Sequence, residues 1–142
     1  MIAYLDTSAL VPLMIDEPAS EASREMWDAA DSVVSVRLTY VEASAALAAA
    51  HRIGRISVAE FSHALELLDD LWRDIDVVEF DCDLAEYAAF CARTYASRGY
   101  DAVQCAAGLM LDDDDLVAVA GDAALVNVWQ EVGLAHRNVA VA

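Results

Sequence analysis

Four carboxylates in this sequence stand where a catalytic or metal-binding acid would be expected: Asp6, Glu42, Asp101 and Asp122. Asp6 directly follows a short apolar run and is the only charged residue among the first fifteen. A carboxylate at a buried strand end is costly unless it is paired or bound to a metal. Carboxylates held close together repel one another, and Mg²⁺ or Mn²⁺ relieves that repulsion through oxygen-only ligation. The four acids therefore predict metal-assisted phosphoryl chemistry.

Each of these acids also has a purely structural explanation, because carboxylates are favoured at the starts of helices. Asp6 can cap the residues that follow the first apolar run. Thr39 can cap a helix that carries Glu42 three residues later, which is the spacing of a capping box. Asp101 and Asp122 each stand where a helix is expected to begin. Taken singly, none of the four acids can be assigned to catalysis from its local sequence.

The elements that must position the acids alternate between short apolar runs and longer helical repeats. Strands are predicted at Ile2–Leu5, Ser32–Val36, Val77–Phe80 and Leu116–Val119, with a short fifth near Asn138–Val141. This alternation predicts an α/β fold, a three-layer sandwich in which a mostly parallel central sheet of four to five strands is flanked by helices. The whole chain, residues 1–142, is expected to form one domain.

Capping residues give expected limits for several helices. Ser57 precedes Glu60 by three residues, the spacing of a capping box. Asp81 or Asp83 can cap a later helix, and Gly99 is expected to end it. The following helix is then expected to open at Asp101.

The predicted topology brings the four acids toward one edge of the sheet. Asp6 ends the first strand, and Asp122 follows the fourth by a few residues. Glu42 lies near the start of the helix after the second strand, and Asp101 begins a helix after an Arg-Gly-Tyr turn. Sites in parallel α/β sheets form beyond the carboxyl ends of the strands. This shared edge is what makes a metal site plausible for acids that are individually ambiguous.

The composition limits the class of protein. No apolar stretch approaches the roughly 18 residues that a membrane-spanning helix needs, and the N-terminus lacks the basic region of a signal peptide. The chain is therefore expected to be cytoplasmic, with no membrane partner. The cysteines have no paired spacing, which argues against a disulfide framework or a zinc site. We predict buried free thiols at all three positions: Cys82, Cys91 and Cys105.

The charge balance argues against a nucleic-acid substrate. The formal net charge is −17, with 25 acidic residues against eight basic ones, all of them arginine. A strongly acidic surface repels nucleic acid at long range. Bound divalent cations can invert the electrostatics of a site, and a basic partner chain can cover an acidic surface. Arg37 or Arg98 could contact substrate phosphate, although a surface ion pair is the alternative for each.

Four segments resemble, in order, the four motifs of PIN-domain nucleases. YLDTSALV is similar to the first motif, with Asp6 as its acid and Ser8 as a nearby hydroxyl. SVRLTYVEASAAL resembles the second, with Glu42 as its acid. SRGYDAVQCAA is similar to the third, in which an aspartate starts a helix, here Asp101. VAVAGDAALVNVWQEVGL resembles the fourth, with Asp122. The resemblance covers the whole chain, whose length is that of the VapC toxins of type II toxin–antitoxin systems.

The resemblance implies a metal-dependent endoribonuclease that uses Mg²⁺ or Mn²⁺ and leaves a 5′-phosphate. Asp6, Glu42 and Asp101 would be the principal metal ligands, directly or through water. Asp122 would help to hold a second ion or to orient water. The resemblance further implies an RNA substrate, a homodimer and a VapB-like antitoxin. The antitoxin would lie over the small and apolar surface of two helical segments, Ala43–Ala50 and Phe61–Trp72.

Two positions depart from the family pattern. Ala120 stands where a Ser, Thr or Asn often precedes the fourth acid by two residues, and Gln104 stands where a histidine often follows the third acid by three. The first departure bears on the positioning of the second metal ion or of the attacking water. Neither departure removes a carboxylate.

Two other functions are compatible with parts of the sequence. A Mg²⁺-dependent phosphatase also places an aspartate at the end of a strand. Here that strand lacks a DxD pair, and the chain has no lysine to neutralise an acyl-phosphate. A PIN fold that has lost catalysis and serves only as a binding module is the second alternative. The four acids argue against it, and Ala120 leaves it open.

Overall fold

A five-stranded sheet runs through the computed structural model, which describes residues 1–141. Its strands are β1 (Ile2–Leu5), β2 (Ser32–Val36), β3 (Ile75–Val78), β4 (Leu116–Ala120) and β5 (His136–Asn138). Every neighbouring pair is parallel, and the strand order is β3-β2-β1-β4-β5. The expected α/β fold with a central parallel sheet is confirmed.

Helices cover both faces of this sheet. In chain order they are α1 (Thr7–Leu10, extended by a 3₁₀ turn over Val11–Leu13), α2 (Ser20–Ala29), α3 (Arg37–Arg52), α4 (Val58–Arg73), α5 (Cys82–Tyr95), α6 (Gly99–Met110) and α7 (Ala123–Glu131). The first four pack on the face that carries Ala3 and Leu5. The last three pack on the face that carries Tyr4 and Val34. The chain is therefore a three-layer sandwich, as the sequence predicts.

The central position of β1 determines where the first acid lies. Ala3, Tyr4 and Leu5 are fully buried because helices cover both faces, which is why the strand has no polar alternation. Tyr4 pairs with Val34 on one side and with Ala118 on the other. Asp6 therefore leaves the middle of the sheet at its carboxyl edge.

The two edge strands differ from their predicted limits. The third strand was expected at Val77–Phe80, but pairing with β2 begins two residues earlier, at Ile75. The fifth was expected near Asn138–Val141, but its pairing with β4 begins at His136. An edge strand is held largely by backbone pairing and tolerates polar side chains such as Asp76, so an apolar run is a poor guide to its limits.

The start of α3 differs from the prediction, which placed a capping residue at Thr39. The helix begins at Arg37, and its N-cap residue Val36 makes no side-chain capping bond. Thr39 is fully buried and accepts a hydrogen bond from Gln104 of α6. The capping box expected between Thr39 and Glu42 is therefore absent, because a tertiary contact uses the hydroxyl and the helix has already begun.

Of the predicted helix limits, two caps are confirmed and two limits are wrong. The capping box of Ser57 and Glu60 is present at the start of α4, and Asp81 caps α5. Gly99 does not end α5: the helix stops at Tyr95 and is followed by Ala96 in the left-handed region (φ 51°). Gly99 instead begins α6. Asp101, which was expected to open α6, is its third residue.

The thiol prediction is correct at two positions and wrong at the third. Cys91 and Cys105 are buried between α5 and α6, and both are free. Cys82 is exposed because it lies at the first position of α5, at the surface. Burial raises the pKa of the Cys105 thiol to about 12, so this thiol stays protonated and packs as a small hydrophobe.

The apolar stripes of α3 and α4 form part of the core. Ala43 and Leu47 of α3 pack with Ala64 and Leu68 of α4, and all four side chains are buried. The small and apolar surface that the sequence suggested for a partner is therefore largely used within the chain. Over residues 1–141, the structure contains no helix whose length and apolar character would let it cross a membrane.

A pair of substitutions in α3 tests the assigned core. Leu47 is 0% exposed, whereas Ile53 at the end of the same helix is 72% exposed. We expect Leu47→Ala to lower the free energy of unfolding by about 2–5 kcal/mol, through lost burial and the cavity left behind. Ile53→Ala should change it by less than about 0.5 kcal/mol. Urea unfolding measures both, and equal effects would contradict the packing described here.

Candidate active site

The structure brings all four acids to one cavity of about 590 Å³ at the carboxyl edge of the sheet. Asp6 links β1 to α1, and Asp122 links β4 to α7. Glu42 lies in the second turn of α3, and Asp101 is the third residue of α6. Four separate parts of the fold thus each contribute one carboxylate to the lining of the same cavity.

Asp6 is held by its own helix start and, through Ser8, by the neighbouring strand loop. Its Oδ2 accepts hydrogen bonds from the Ser8 amide at 3.0 Å and from the Ser8 hydroxyl. The Ser8 Oγ in turn accepts from the amide of Gly121 at 2.7 Å. The bonds couple the β1 end of the cavity to the β4 end.

Burial sets the protonation of Asp6. Its side chain lies in a poorly solvated position, and this desolvation raises its pKa from 3.8 to about 6. The bonds from Ser8 oppose the rise, and the negative charge of Glu42 adds to it. Ionisation of Asp6 is therefore less favourable than that of a solvated aspartate. A nearby cation would favour the ionised form.

Glu42 is held from beneath by a buried polar network. Its Oε1 accepts from Gln104 Nε2 at 2.9 Å and from Thr7 Oγ1 at 3.1 Å. Gln104 Oε1 accepts from the hydroxyl of Tyr4 at 2.7 Å. Burial raises the pKa of Tyr4 well above 10, so this hydroxyl remains a donor. In the sequence, Gln104 stands out only as a departure from a family pattern, and no local pattern marks Tyr4 or Thr7 as part of the site.

Asp101 and Asp122 share one arginine. Arg98 Nε donates to Asp101 Oδ2 at 3.1 Å, and Arg98 Nη2 lies 4.0 Å from Asp122 Oδ2. The guanidinium also stacks 4.9 Å from the centre of the Tyr100 ring. Arg37, the other arginine singled out from the sequence, pairs with Glu79 instead and does not line this cavity.

Asp122 is a helix cap and a cavity residue at once. Its Oδ1 accepts from the amide of Leu125 at 3.1 Å, which caps α7. Its Oδ2 is the oxygen nearer to Arg98. Glu17 also lines the cavity, where it pairs with Arg55 at 3.2 Å, and the sequence analysis missed it. Because Glu17 lies in a loop between helices, no periodicity or capping pattern marks it.

The carboxylate oxygens that line the cavity suit a hard cation that keeps its own water ligands. They do not form a closed cage of protein ligands around an ion. Within residues 1–141, no three His, Cys, Asp or Glu side chains come close enough to enclose an ion. Mg²⁺ does not require such a cage, because it usually keeps several waters and binds through one or two carboxylates. The cavity offers oxygen donors only, and the buried Asp6 has no cation partner among the ion pairs of the described chain. These residues fit a water-rich divalent ion.

Comparison with known proteins shows the family to which the chain belongs. Residues 3–123 match the PIN domain family. Over 121 residues the chain is 36% identical to ribonucleases VapC45 and VapC49 of Mycobacterium tuberculosis, a match that covers 85% of this chain and 84% of each relative. The chain belongs to the VapC family of PIN-domain ribonucleases.

Two solved structures share the fold at lower identity. One is VapC20 of Mycobacterium tuberculosis, described as a toxin that cleaves the sarcin-ricin loop. It matches with a TM-score of 0.68 and 18% identity over 89% of this chain and 94% of that one. The other is a toxin-antitoxin complex from Klebsiella pneumoniae, with a TM-score of 0.62 and 16% identity over 84% of this chain and 86% of that one. At these identities the likeness concerns the fold.

The raised pKa of Asp6 predicts that the site costs stability. The unfolded chain releases this proton near pH 3.8, whereas the folded chain holds it to about pH 6. The folded state therefore binds more protons between these values, and the free energy of unfolding falls as pH rises through them. We expect Asp6→Asn, measured by urea unfolding in EDTA, to be more stable than the parent by on the order of 2–3 kcal/mol above pH ~7.

The same pair of proteins supplies the control. Below pH ~3 the Asp6 carboxyl is protonated in both the folded and the unfolded chain, so it is neutral like the amide of the variant. The difference in the free energy of unfolding should then largely disappear. A gain that is the same at both pH values would show that the effect is not electrostatic. No gain at either would contradict the burial assigned to this carboxylate.

Proposed function

We propose that this protein is a metal-dependent endoribonuclease that hydrolyses RNA phosphodiester bonds with Mg²⁺ or Mn²⁺, as the toxin of a VapBC-like pair. The observation that carries the proposal is the convergence of four carboxylates on one cavity, in a chain of the VapC family. The relatives in this family are ribonucleases, and no histidine or cysteine of the described chain lines the cavity with the acids. Both observations favour phosphodiester hydrolysis over proteolysis.

The roles of the residues follow from their contacts. Asp6, Glu42 and Asp101 would hold the ion, directly or through water, and Asp122 would help to hold a second ion or to orient water. When bound, a divalent ion activates water and stabilises the extra charge of the phosphodiester transition state. Arg98 has a guanidinium beside two of the cavity acids, Asp101 and Asp122, and can bind a phosphate oxygen in place of a carboxylate. A 5′-phosphate product is part of the proposal.

The acidity of the chain makes the ion necessary for substrate binding as well as for chemistry. A net charge of −17 repels RNA, and five of the carboxylates that contribute to it, Glu17 among them, line the cavity. An ion in the cavity supplies positive charge where the scissile phosphate must lie. RNA binding should therefore depend on the divalent cation, and this dependence distinguishes the site from a basic RNA-binding surface.

A VapB-like antitoxin is the proposed protein partner, and the cytoplasm the proposed compartment. The fold is shared with a protein solved as part of a toxin-antitoxin complex. Because the stripes of α3 and α4 are mostly buried, few large apolar residues there are strongly exposed. Ile53 and Val58 lie at the turn between the two helices, and Val41 lies near the start of α3.

A homodimer is proposed on a different surface, an apolar groove of about 350 Å³ between α3, α6 and the loop after β3. We call it the Phe80 groove, and it is lined by Arg37, Leu38, Val41, Phe80, Tyr100 and Val103. The Arg37–Glu79 ion pair lies beside it. A surface that carries apolar residues and both signs of charge can complement itself across a twofold axis.

The catalytic assignment is tested by two aspartates that differ only in their surroundings. Asp81 and Asp122 both cap helices, with bonds to Leu84 at 2.9 Å and to Leu125 at 3.1 Å, but only Asp122 lines the cavity. Asparagine is an equally good N-cap, so either Asn variant should fold. We expect Asp6→Asn and Asp122→Asn to lower cleavage of total RNA by roughly a hundredfold or more, and Asp81→Asn to leave it unchanged.

The assay uses the purified chain, free of any partner, with Mn²⁺ or Mg²⁺, and adds EDTA to remove the ion. EDTA should stop cleavage. Cleavage that survives EDTA, or Asp6→Asn cutting RNA as fast as the parent, would contradict the assignment. A binding module would cut nothing although folded, and a phosphatase would release phosphate from small monoesters while leaving RNA intact.

The dimer surface is tested with two phenylalanines of similar exposure. Phe80 is 53% exposed in the Phe80 groove, and Phe90 is 49% exposed on α5 away from it. Size-exclusion chromatography with light scattering should find the parent and Phe90→Asp dimeric and Phe80→Asp monomeric, because a charge buried in an apolar interface is costly. A monomeric parent, or a dimeric Phe80→Asp, would rule out this surface.

A further inference from the structure

Gln104 is a polar side chain buried beneath the cavity on α6. It is fully buried, and its amide nitrogen donates to Glu42 Oε1 and to Thr39 Oγ1, both at 2.9 Å. Thr7 Oγ1 lies farther from that nitrogen, at 3.4 Å. An amide nitrogen has two hydrogens, so the two short bonds use its full donor capacity. The side chain thus joins α6 to α3 through hydrogen bonds.

The chemistry of its partners determines which end of the amide faces Glu42. An ionised carboxylate can only accept hydrogen bonds, so the nitrogen of Gln104 must face it. The oxygen then faces the hydroxyl of Tyr4, which donates to it at 2.7 Å. The reversed amide would set its oxygen against the carboxylate, which two acceptors cannot tolerate. The network therefore has one consistent orientation.

The network divides the two oxygens of Glu42. Oε1 receives two protein donors, Gln104 at 2.9 Å and Thr7 at 3.1 Å. In the portion of the chain that the structure describes, Oε2 receives none. Glu42 also lines the cavity, where Gln104 does not. One oxygen is thereby fixed from inside the fold, and the other is left for a ligand in the cavity.

We propose that Gln104 is a positioning residue that holds Glu42 Oε1 so that Oε2 is the oxygen offered to a divalent cation. The inference rests on the metal-dependent function proposed above. A neutral amide suits this task because it orients the carboxylate without adding a positive charge that would compete with the cation. Arg98, which bonds Asp101, lacks this property.

The test measures Mn²⁺ affinity directly, by the electron paramagnetic resonance signal of the free ion, in the full chain without RNA. Gln104→Met keeps the length of the side chain and removes its hydrogen bonds. We expect it to weaken Mn²⁺ binding by about 10–100-fold, the range seen when a residue that orients a metal ligand is lost. Ser35→Ala is the matched control, since it removes a buried hydrogen bond to Leu5 O outside the cavity. It should lower thermal stability while leaving Mn²⁺ affinity unchanged.

A double variant shows whether the effect of Gln104 on Mn²⁺ affinity depends on Glu42. In Glu42→Gln, adding Gln104→Met should cause no further loss of Mn²⁺ affinity. If Gln104→Met does not fold, Thr7→Val removes the other donor to Oε1 and should weaken binding in the same direction, by less. Unchanged Mn²⁺ affinity in these folded variants, or a further loss in the Glu42→Gln background, would overturn the positioning role of Gln104 and leave the metal-dependent function standing. A parent that binds no Mn²⁺ overturns the metal-dependent function and this inference with it.

Discussion

The site depends on one electrostatic constraint: four carboxylates share one cavity at the carboxyl edge of the sheet. Asp6 and Asp101 are buried, and the chain around them already carries a net charge of −17. Carboxylates held close together repel one another, and burial together with the charge of Glu42 raises the pKa of Asp6 to about 6. The hydrogen bonds around the site can be understood as the means by which the fold keeps these side chains together.

The fold does so by giving the two oxygens of a carboxylate different tasks. Asp6 Oδ2, Glu42 Oε1 and Asp122 Oδ1 accept hydrogen bonds from the protein. Their donors are a backbone amide, a buried side-chain amide and a helix N-terminus, all of which hold the carboxylate without neutralising it. Asp101 is the exception, since its partner is the charged Arg98. Structural and functional explanations of these acids are therefore compatible, and Asp122 shows both in one residue.

The sequence allowed the layers of the fold and the identity of the four cavity acids to be predicted, because both rest on strong local signals. Apolar strands buried on two faces are recognisable from composition, and a lone acid after such a strand, as at Asp6, marks a sheet edge. The errors share a cause. The Thr39 cap, the limits of β3 and the exposure of Cys82 all depend on tertiary contacts or on position at the surface. The Gln104 network joins residues up to a hundred positions apart, and no local pattern reports it.

The central claim is that the cavity binds a divalent cation through these particular acids. Anomalous diffraction at the manganese edge, from crystals of the parent chain soaked in Mn²⁺, tests it most directly. The account predicts an anomalous peak inside the cavity, coordinated by Asp6 directly or through water. A fully occupied peak only elsewhere, for example at the exposed acidic run Asp112–Asp115, with no peak in the cavity, would contradict it.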